Sequence, residues 1–156
     1  MTRLTLFIAG LALLISTSAG ADRPGSSWRV VCDQDATAQE PLCHVSTFVQ
    51  DKTNGVWLGI AVQILNGTHE VQVTSSGSVY HSAEIDAEPE TTTYTDYCYG
   101  SYCVFVHAES LVDRFKSENR MNVRLFNGTT KPSIEKRISL LGFTKAYEEY
   151  LRRMGE

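Results

Sequence analysis

Four cysteines are the residues of this 156-residue chain whose spacing indicates chemistry most directly. Where thiols are oxidised, an even number of cysteines favours a set of disulfides, and four cysteines allow three connectivities. The short separations favour Cys32–Cys43 and Cys98–Cys103 among the three. In the loop-entropy model, closing loops of about 12 and 6 residues stabilises a protein by roughly 2–3 kcal/mol each.

A zinc site is the alternative use of the same cysteines. His44 and His107 lie close to them in sequence, but the set lacks the short cysteine spacing and the histidine arm of a zinc finger or ribbon. Neither pair is separated by two residues, so the pattern of a thioredoxin-like redox centre is missing as well. We therefore expect two disulfides, no metal and no cofactor.

The sequence contains few of the residue patterns that are typical of catalytic sites. The chain has no GxSxG elbow, no phosphate-binding glycine loop and no HExxH motif. Its four histidines, at positions 44, 69, 81 and 107, are far apart in sequence. Triads assembled in three dimensions need not be local, and a hydrolase with a dispersed site is one alternative. The expectation is a protein that is not an enzyme and has no catalytic residues.

An acidic run offers a possible cation site. Glu84, Asp86, Glu88 and Glu90 alternate with other residues, so an extended segment would direct four carboxylates to one side, as a hard cation such as calcium prefers. Pro89 interrupts this run, and no companion Asn/Asp loop lies nearby. The favoured interpretation is a solvated strand edge whose charges discourage association between sheets.

Aromatic residues form the cluster of greatest interest. Five of the seven tyrosines surround the second cysteine pair, amid threonine, serine, aspartate and glycine: Tyr80, Tyr94, Tyr97, Tyr99 and Tyr102. Rigid tyrosines among small polar residues are typical of recognition surfaces, because they provide contact area at low entropic cost. Tyr94, Tyr97, Tyr99 and Tyr102 are the candidate partner contacts. The alternative is that some of these rings fill the core.

These residues must be positioned by strands, because the dominant period of the sequence is two. Residues 58–64 alternate between aliphatic and small or polar side chains, and similar alternation spans 70–73 and 121–125. Weaker patterns predict strands over 28–32, 43–50, 79–85, 94–98, 103–108 and 134–140. Asn54-Gly55, Asn66-Gly67 and Asn127-Gly128 suit tight hairpin turns. The fold class predicted is all-β, an antiparallel β-sandwich or compact barrel.

Two segments follow a helical period instead. Residues 110–118 place three apolar residues on one face, and Ser110 is a plausible N-cap. Near the C-terminus, five apolar residues recur at helical spacing: Phe143, Tyr147, Tyr150, Leu151 and Met154. Thr144 is the expected cap there. We expect this second helix to lay its apolar face across the sandwich.

The N-terminal segment predicts export. Arg3 precedes a run of about a dozen apolar residues, and Ala19-Gly20-Ala21 ends it in the manner of a signal-peptide cleavage site. The predicted organisation is a signal peptide at 1–21 and one β domain at 22–156, in which no segment reaches membrane-spanning length. Without Arg3 the chain has 13 basic and 18 acidic residues, which disfavours nucleic acid as a partner. Periplasm, outer-membrane surface and secretion all fit.

The combination resembles the invasion-associated locus B family. The resemblance rests on Trp-Arg-Val-Val-Cys-Asp at 28–33, the cysteines that follow, and Ser-Leu-Leu-Gly-Phe-Thr-Lys-Ala at 139–146. It implies a small exported bacterial all-β domain with paired cysteines, associated in some members with entry into host cells, and it brings no catalytic residues. Positions 73–78 and 85–87 depart from the family's usual middle segment.

The resemblance and the residues together lead to a hypothesis of function. They predict an exported, non-enzymatic protein that interacts with a macromolecule of the cell envelope or of a host-cell surface. A periplasmic protein that binds a small molecule or a cation is the alternative.

Overall fold

A computed structural model of the chain describes residues 27–33, 42–50, 55–87 and 91–155, which form ten strands and two helices. The predicted signal peptide lies outside these residues, so it stays a prediction. In chain order the elements are β1 (Arg29–Asp33), β2 (Leu42–Gln50), β3 (Trp57–Leu65), β4 (Thr68–Ser75), β5 (Ser82–Ala87), β6 (Thr91–Tyr94), β7 (Tyr97–Tyr99), β8 (Tyr102–Phe105), α1 (Glu109–Ser117), β9 (Arg120–Phe126), β10 (Ile134–Ser139) and α2 (Phe143–Met154).

The strands pair antiparallel in two sheets. The first has six strands in the order β1-β2-β3-β4-β8-β7, and the second has four in the order β10-β9-β5-β6. No pairing between described strands closes either sheet into a barrel. The predicted all-β fold is thus confirmed in its sandwich form. One predicted strand, 94–98, is wrong: β6 ends at Tyr94 in one sheet and β7 begins at Tyr97 in the other.

The core lies between the two sheets and under the helices. In β3 the even-numbered residues Leu58, Ile60 and Val62 are buried, because successive side chains of a strand point to opposite faces. Ile85 and Val123 supply the same alternation from the second sheet. The face of the six-stranded sheet that carries the buried residues is called the inner face, and the opposite one is called the outer face.

Helix α2 packs across the inner face, as its apolar stripe predicts. Phe143, Tyr147 and Tyr150 are buried, and the backbone N–H of Ile64 in β3 donates to the Tyr150 hydroxyl at 2.7 Å. Trp28 meets Phe143 edge-on, with ring centroids 4.9 Å apart. The helix therefore covers the β1–β4 part of the inner face. No helix among the described residues is long and apolar enough to span a membrane.

The predicted helix caps are wrong. The residue before α1 is Ala108, with no side-chain capping hydrogen bond, so Ser110 lies inside the helix. Gly142 precedes α2 with φ of 87°, a conformation that glycine adopts without steric cost. Thr144 instead donates its hydroxyl to the carbonyl of Lys116, 3.3 Å away, and so links the two helices.

The Asn-Gly turns have different outcomes. Asn66 and Gly67 have φ of 53° and 77° and join β3 to β4 directly, as a tight hairpin requires. Asn127-Gly128 begins a longer connection, because β9 ends at Phe126 and β10 starts at Ile134. There Thr129 donates its hydroxyl to the carbonyl of Lys131. The third turn involves Asn54, which lies outside the described residues.

Candidate functional site

The two predicted disulfides are present, one at each edge of the six-stranded sheet. Cys32–Cys43 joins β1 to β2, and Cys98–Cys103 joins β7 to β8. In each bridge the cysteines are directly opposite and their Cα atoms are 4.0 Å apart. Cys103 lies opposite Val73 on the inner face, so the residues flanking each cysteine of this bridge point outward.

Those outward residues are three of the predicted tyrosines. We call residues 97–105 the tyrosine hairpin, which consists of β7, a turn and β8. Its Tyr97, Tyr99 and Tyr102 are 50%, 73% and 37% exposed. The rings of Tyr99 and Tyr102 are cross-strand neighbours with centroids 5.9 Å apart. The hairpin therefore presents aromatic rings on the outer face.

The hairpin is held in place by more than its disulfide. The backbone N–H of Ser75 donates to the carbonyl of Ser101 in the hairpin turn at 3.1 Å. At its other end, Asp96 accepts a hydrogen bond from the backbone N–H of Val106 at 2.8 Å, and its own N–H donates to the carbonyl of Val104. Because the turn is bonded to β4 and the open end is closed by Asp96, the tyrosines are displayed on an ordered backbone.

The other two clustered tyrosines lie elsewhere. Tyr80 is a core residue, whose hydroxyl donates to the Ser75 hydroxyl oxygen at 3.3 Å and whose backbone N–H donates to Gly100. Tyr94 is 66% exposed, but it lies on β6 opposite Glu84, on the outward face of the second sheet. The structure thus separates a group that is continuous in sequence.

Two aromatic residues that the sequence analysis did not single out share the outer face. Phe48 and Trp57 are 58% and 39% exposed. The sequence contains a signal for their exposure, because both residues have the opposite phase to the buried residues of their strands. Register places Phe48, Gly59, Thr74, Tyr102 and Tyr99 side by side across β2, β3, β4, β8 and β7. We call this series the aromatic row.

Trp57 completes the aromatic row at Gly59. A Cβ atom built on Gly59 would lie 3.5 Å from Cζ3 of Trp57 and 3.1 Å from Cγ2 of Thr74. The indole therefore lies against the space that glycine leaves open. At the far end, the Arg29 guanidinium lies over the ring of Phe48, 5.7 Å from its centroid.

The acidic run is not the solvated edge that its alternation suggests. Its described members, Glu84 and Asp86, belong to β5, an internal strand of its sheet. Arg124 on β9 binds both, with N–O distances of 2.9 Å and 2.6 Å. Burial lowers the pKa of Arg124, but hydrogen bonds and charge from the two carboxylates raise it above its ordinary value overall. Glu88, Pro89 and Glu90 lie outside the described residues.

A tyrosine, a histidine and a glutamate meet between β4 and the helices. Nε2 of His69 lies 2.5 Å from the Tyr147 hydroxyl, and Nδ1 lies 3.5 Å from Glu109. The pKa of Glu109 is lowered by hydrogen bonds from its own backbone N–H and from that of His69. Tyr147 is buried beneath the helix, so this group of residues fastens the helices to the sheet.

A solvent-open groove runs between β1 and α2. It has a volume of about 780 Å³, and its lining includes Trp28, Arg29, Lys145, Arg152 and Glu149. Arg152 and Arg153 both pair with Glu149. Six of its ten lining residues are charged, and they stand beside the apolar surfaces of Trp28, Val30 and Ala146. In the part of the chain that the structure describes, no three His, Cys, Asp or Glu side chains converge as metal ligands would.

Comparison with known proteins gives a family and a fold. The model of the invasion associated locus B (IalB) protein family matches residues 28–150. The crystal structure of invasion associated protein B from Bartonella henselae is similar, with a TM-score of 0.64 and 14% sequence identity. The match covers 86% of this chain and 98% of that one. No curated protein sequence matches the chain. At this identity the structural likeness concerns the fold alone.

Proposed function

The chain belongs to the invasion-associated locus B family, and we propose that it is an exported, non-enzymatic protein that binds a macromolecule of the cell envelope or of a host-cell surface. The proposed contact surface is the tyrosine hairpin. The observation that carries this proposal is the exposure of Tyr97, Tyr99 and Tyr102 on a hairpin closed by Cys98–Cys103.

Exposed aromatic rings on an ordered backbone favour binding for a thermodynamic reason. Association costs conformational entropy when a loop must become ordered, and a stapled hairpin has lost most of that entropy on folding. Tyrosine adds a large contact area with few rotatable bonds, and for this reason it is frequent among residues that dominate binding energy. The Tyr99 side chain is the most exposed of the three and contributes little to the core. Core packing therefore does not explain why a tyrosine occupies this position.

The alternatives receive less support from the described residues. For a cation site, the carboxylates of Glu84 and Asp86 are already paired with Arg124, and displacing that guanidinium would cost both ion pairs. For a hydrolase, the closest approach to a catalytic arrangement is His69 with Tyr147, whose ring is buried. The two disulfides and the family support an export destination, because disulfides persist in oxidising compartments.

The test is capture on membranes with matched variants. The protein is purified after export from the cell that produces it. It is then incubated with envelope fragments and, separately, with membranes of host cells. Tyr99→Ala and Tyr102→Ala should each weaken retention about tenfold or more if these rings are central to the contact. Leu141→Ala removes an apolar side chain about as exposed as Tyr99 from the turn before α2 and serves as the control. Tyr94→Ala reports whether the contact extends to the second sheet.

Equal retention of the wild-type protein and both hairpin variants would contradict the proposal. A fall in melting temperature together with unchanged retention would identify the tyrosines as structural residues, and the contact surface would then lie elsewhere.

A further inference from the structure

Beyond the hairpin, the outer face of the six-stranded sheet has a composition of its own. The aromatic row and the neighbouring row run across the same strands, and the second consists of Arg29, Ser46, Ala61, Gln72, Val104 and Tyr97, of which Val104 is buried. Arg29 is the only charged residue in these two rows. The chain as a whole has 18 acidic and 14 basic residues, so two rows without a carboxylate are a distinct region of its surface. The next row of the same face holds a carboxylate, that of Glu70, which accepts a hydrogen bond from the Gln63 side chain.

From this arrangement we infer that the outer face binds an uncharged oligosaccharide. The inference rests on the proposed function and specifies the chemistry of its partner as a neutral glycan. Aromatic rings are complementary to sugars because the negative face of the ring attracts the slightly positive C–H groups on one side of a pyranose. The hydroxyl groups of the sugar need hydrogen-bonding partners near those rings. Thr74 lies between the rings in the aromatic row, and Gln72 and Ser46 lie in the neighbouring row.

The dimensions of the face fit an extended chain of sugars better than a single one. The aromatic row crosses five strands, which corresponds to about 19 Å at about 4.8 Å per strand. Its rings lie in two groups. Phe48 and Trp57 are at the β2–β3 side, and Tyr102 and Tyr99 are at the β8–β7 side. Because small residues separate the groups, a linear ligand can contact both groups at once.

The charge of these two rows decides between neutral and anionic glycans. Anionic sugars are bound through several arginine or lysine side chains that form charge-assisted hydrogen bonds. Here the single cation, Arg29, is engaged with the ring of Phe48 at the end of the row. A neutral ligand loses nothing by the lack of further cations, whereas a sulfated or carboxylated ligand would leave its charges unpaired.

The first experiment uses defined oligosaccharides as probes. Chitohexaose and cellohexaose are titrated into the exported protein, with heparin as the anionic comparison, and tryptophan emission and calorimetric heat are recorded. Trp57 is exposed and Trp28 is buried, so binding on the outer face should change the emission of Trp57. Trp57→Ala and Tyr99→Ala should each reduce affinity for the neutral probe about tenfold or more. Tyr94→Ala removes an exposed tyrosine from the opposite outer surface and should leave the affinity unchanged.

Several results would overturn the inference. The first is that neither neutral probe binds at millimolar concentration. The second is that heparin alone binds, and the third is that all three variants lose affinity equally. Sedimentation of each variant provides a further test. If Trp57→Ala or Tyr99→Ala converts a dimer to a monomer while no oligosaccharide binds, the face is covered by a second copy of the chain.

The second experiment separates this inference from the proposed function. Host-cell membranes are treated with protease or with periodate, which cleaves the vicinal diols of sugars, and retention of the protein is compared. Retention that survives protease and is lost after periodate supports the glycan. Retention that is lost after protease and survives periodate leaves the proposed function standing and contradicts the glycan. No retention on untreated membranes, together with no binding of the neutral probes, contradicts both.

Discussion

The two disulfides of this protein are alike in local geometry and differ in what surrounds them. Each joins directly opposed residues of an antiparallel pair at an edge of the same sheet, with Cα atoms 4.0 Å apart. Cys32–Cys43 lies beside α2, close enough for Arg153 to reach Cys32 Sγ at 3.9 Å. Cys98–Cys103 lies under exposed tyrosines.

The difference shows that two disulfides of the same local geometry can have different roles in one fold. At the β1 edge the staple supports packing, since Trp28, which directly precedes β1, meets the buried ring of Phe143 in α2. At the β7 edge Val104 is buried on the outer side, but Tyr97, Tyr99 and Tyr102 are exposed there, so the staple orders side chains that solvent reaches. We therefore expect perturbations at the first edge to lower stability and perturbations at the second to lower binding.

The largest loss of stability should come from the helix-covered edge. Phe143 is fully buried and contacts Trp28, Phe115 and Tyr147 through ring centroids 4.9–5.7 Å apart. Phe143→Ala should lower the free energy of unfolding by about 3–5 kcal/mol, because the cavity cannot refill. Urea denaturation measures the loss, and Leu141→Ala, two residues away and exposed, should change it little. A loss below 1 kcal/mol would mean that α2 is only loosely docked.

Removing each disulfide in turn tests the comparison directly. The loop-entropy model gives about 3 kcal/mol for the longer Cys32–Cys43 loop and about 2 kcal/mol for the shorter one. Double Cys→Ala variants of each pair, compared by thermal melting, should follow that order. Retention on membranes should follow the reverse order, with the larger loss for Cys98→Ala/Cys103→Ala. If both variants lose retention equally, the contrast between the two edges is wrong.

Acid should weaken the attachment of the helices to β4 through Glu109, which faces His69. Hydrogen bonds from its own N–H and that of His69 hold its pKa below the ordinary value of 4.5. The folded state therefore binds this proton less readily than the unfolded state. Its stabilising contribution is complete above pH 4.5 and is lost as pH falls through the lowered pKa. Glu109→Gln should accordingly reduce the difference in urea midpoint between neutral and acidic pH, while Glu118→Gln serves as the control.

The smallest expected change in stability belongs to the tyrosine hairpin. Tyr99→Ala should alter the free energy of unfolding by no more than about 0.5 kcal/mol, as for most exposed positions. The same substitution should cause a large loss of partner binding. Melting curves and membrane retention measured on one preparation give both quantities. A melting temperature lowered as much as by Phe143→Ala would show that the two edges do not differ.

Much of the architecture was accessible from sequence because it depends on local pattern. Alternating residues predicted most strands, the helical period of Phe143, Tyr147 and Tyr150 predicted a docked helix, and two short cysteine separations predicted the bridges. Strand ends and helix caps were less accessible. Thr144 has a good capping side chain, but Gly142 takes the positive φ there, and such a choice depends on how the chain enters the helix.

The candidate site was only partly accessible, because it crosses strands that are distant in sequence. Phe48 and Tyr99 belong to one row because β4 pairs with β8. The period of the sequence alone does not specify that pairing. The same holds for the acidic run. The alternation of Glu84 and Asp86 predicts a solvated edge, whereas the pairing of β5 with β9 places Arg124 beside them.

By itself, then, the sequence determined the repeating local geometry: strands from alternation, two helices from their apolar stripes, and two bridges from spacing. These follow from backbone dihedral preferences and from short loops, which act within a few residues. The tertiary structure alone decided that Tyr80 is buried, that Tyr94 faces away from the hairpin, and that Trp57 lies on the same outer face as the hairpin. Those outcomes depend on which strands become neighbours, and long-range burial of the whole core selects that order.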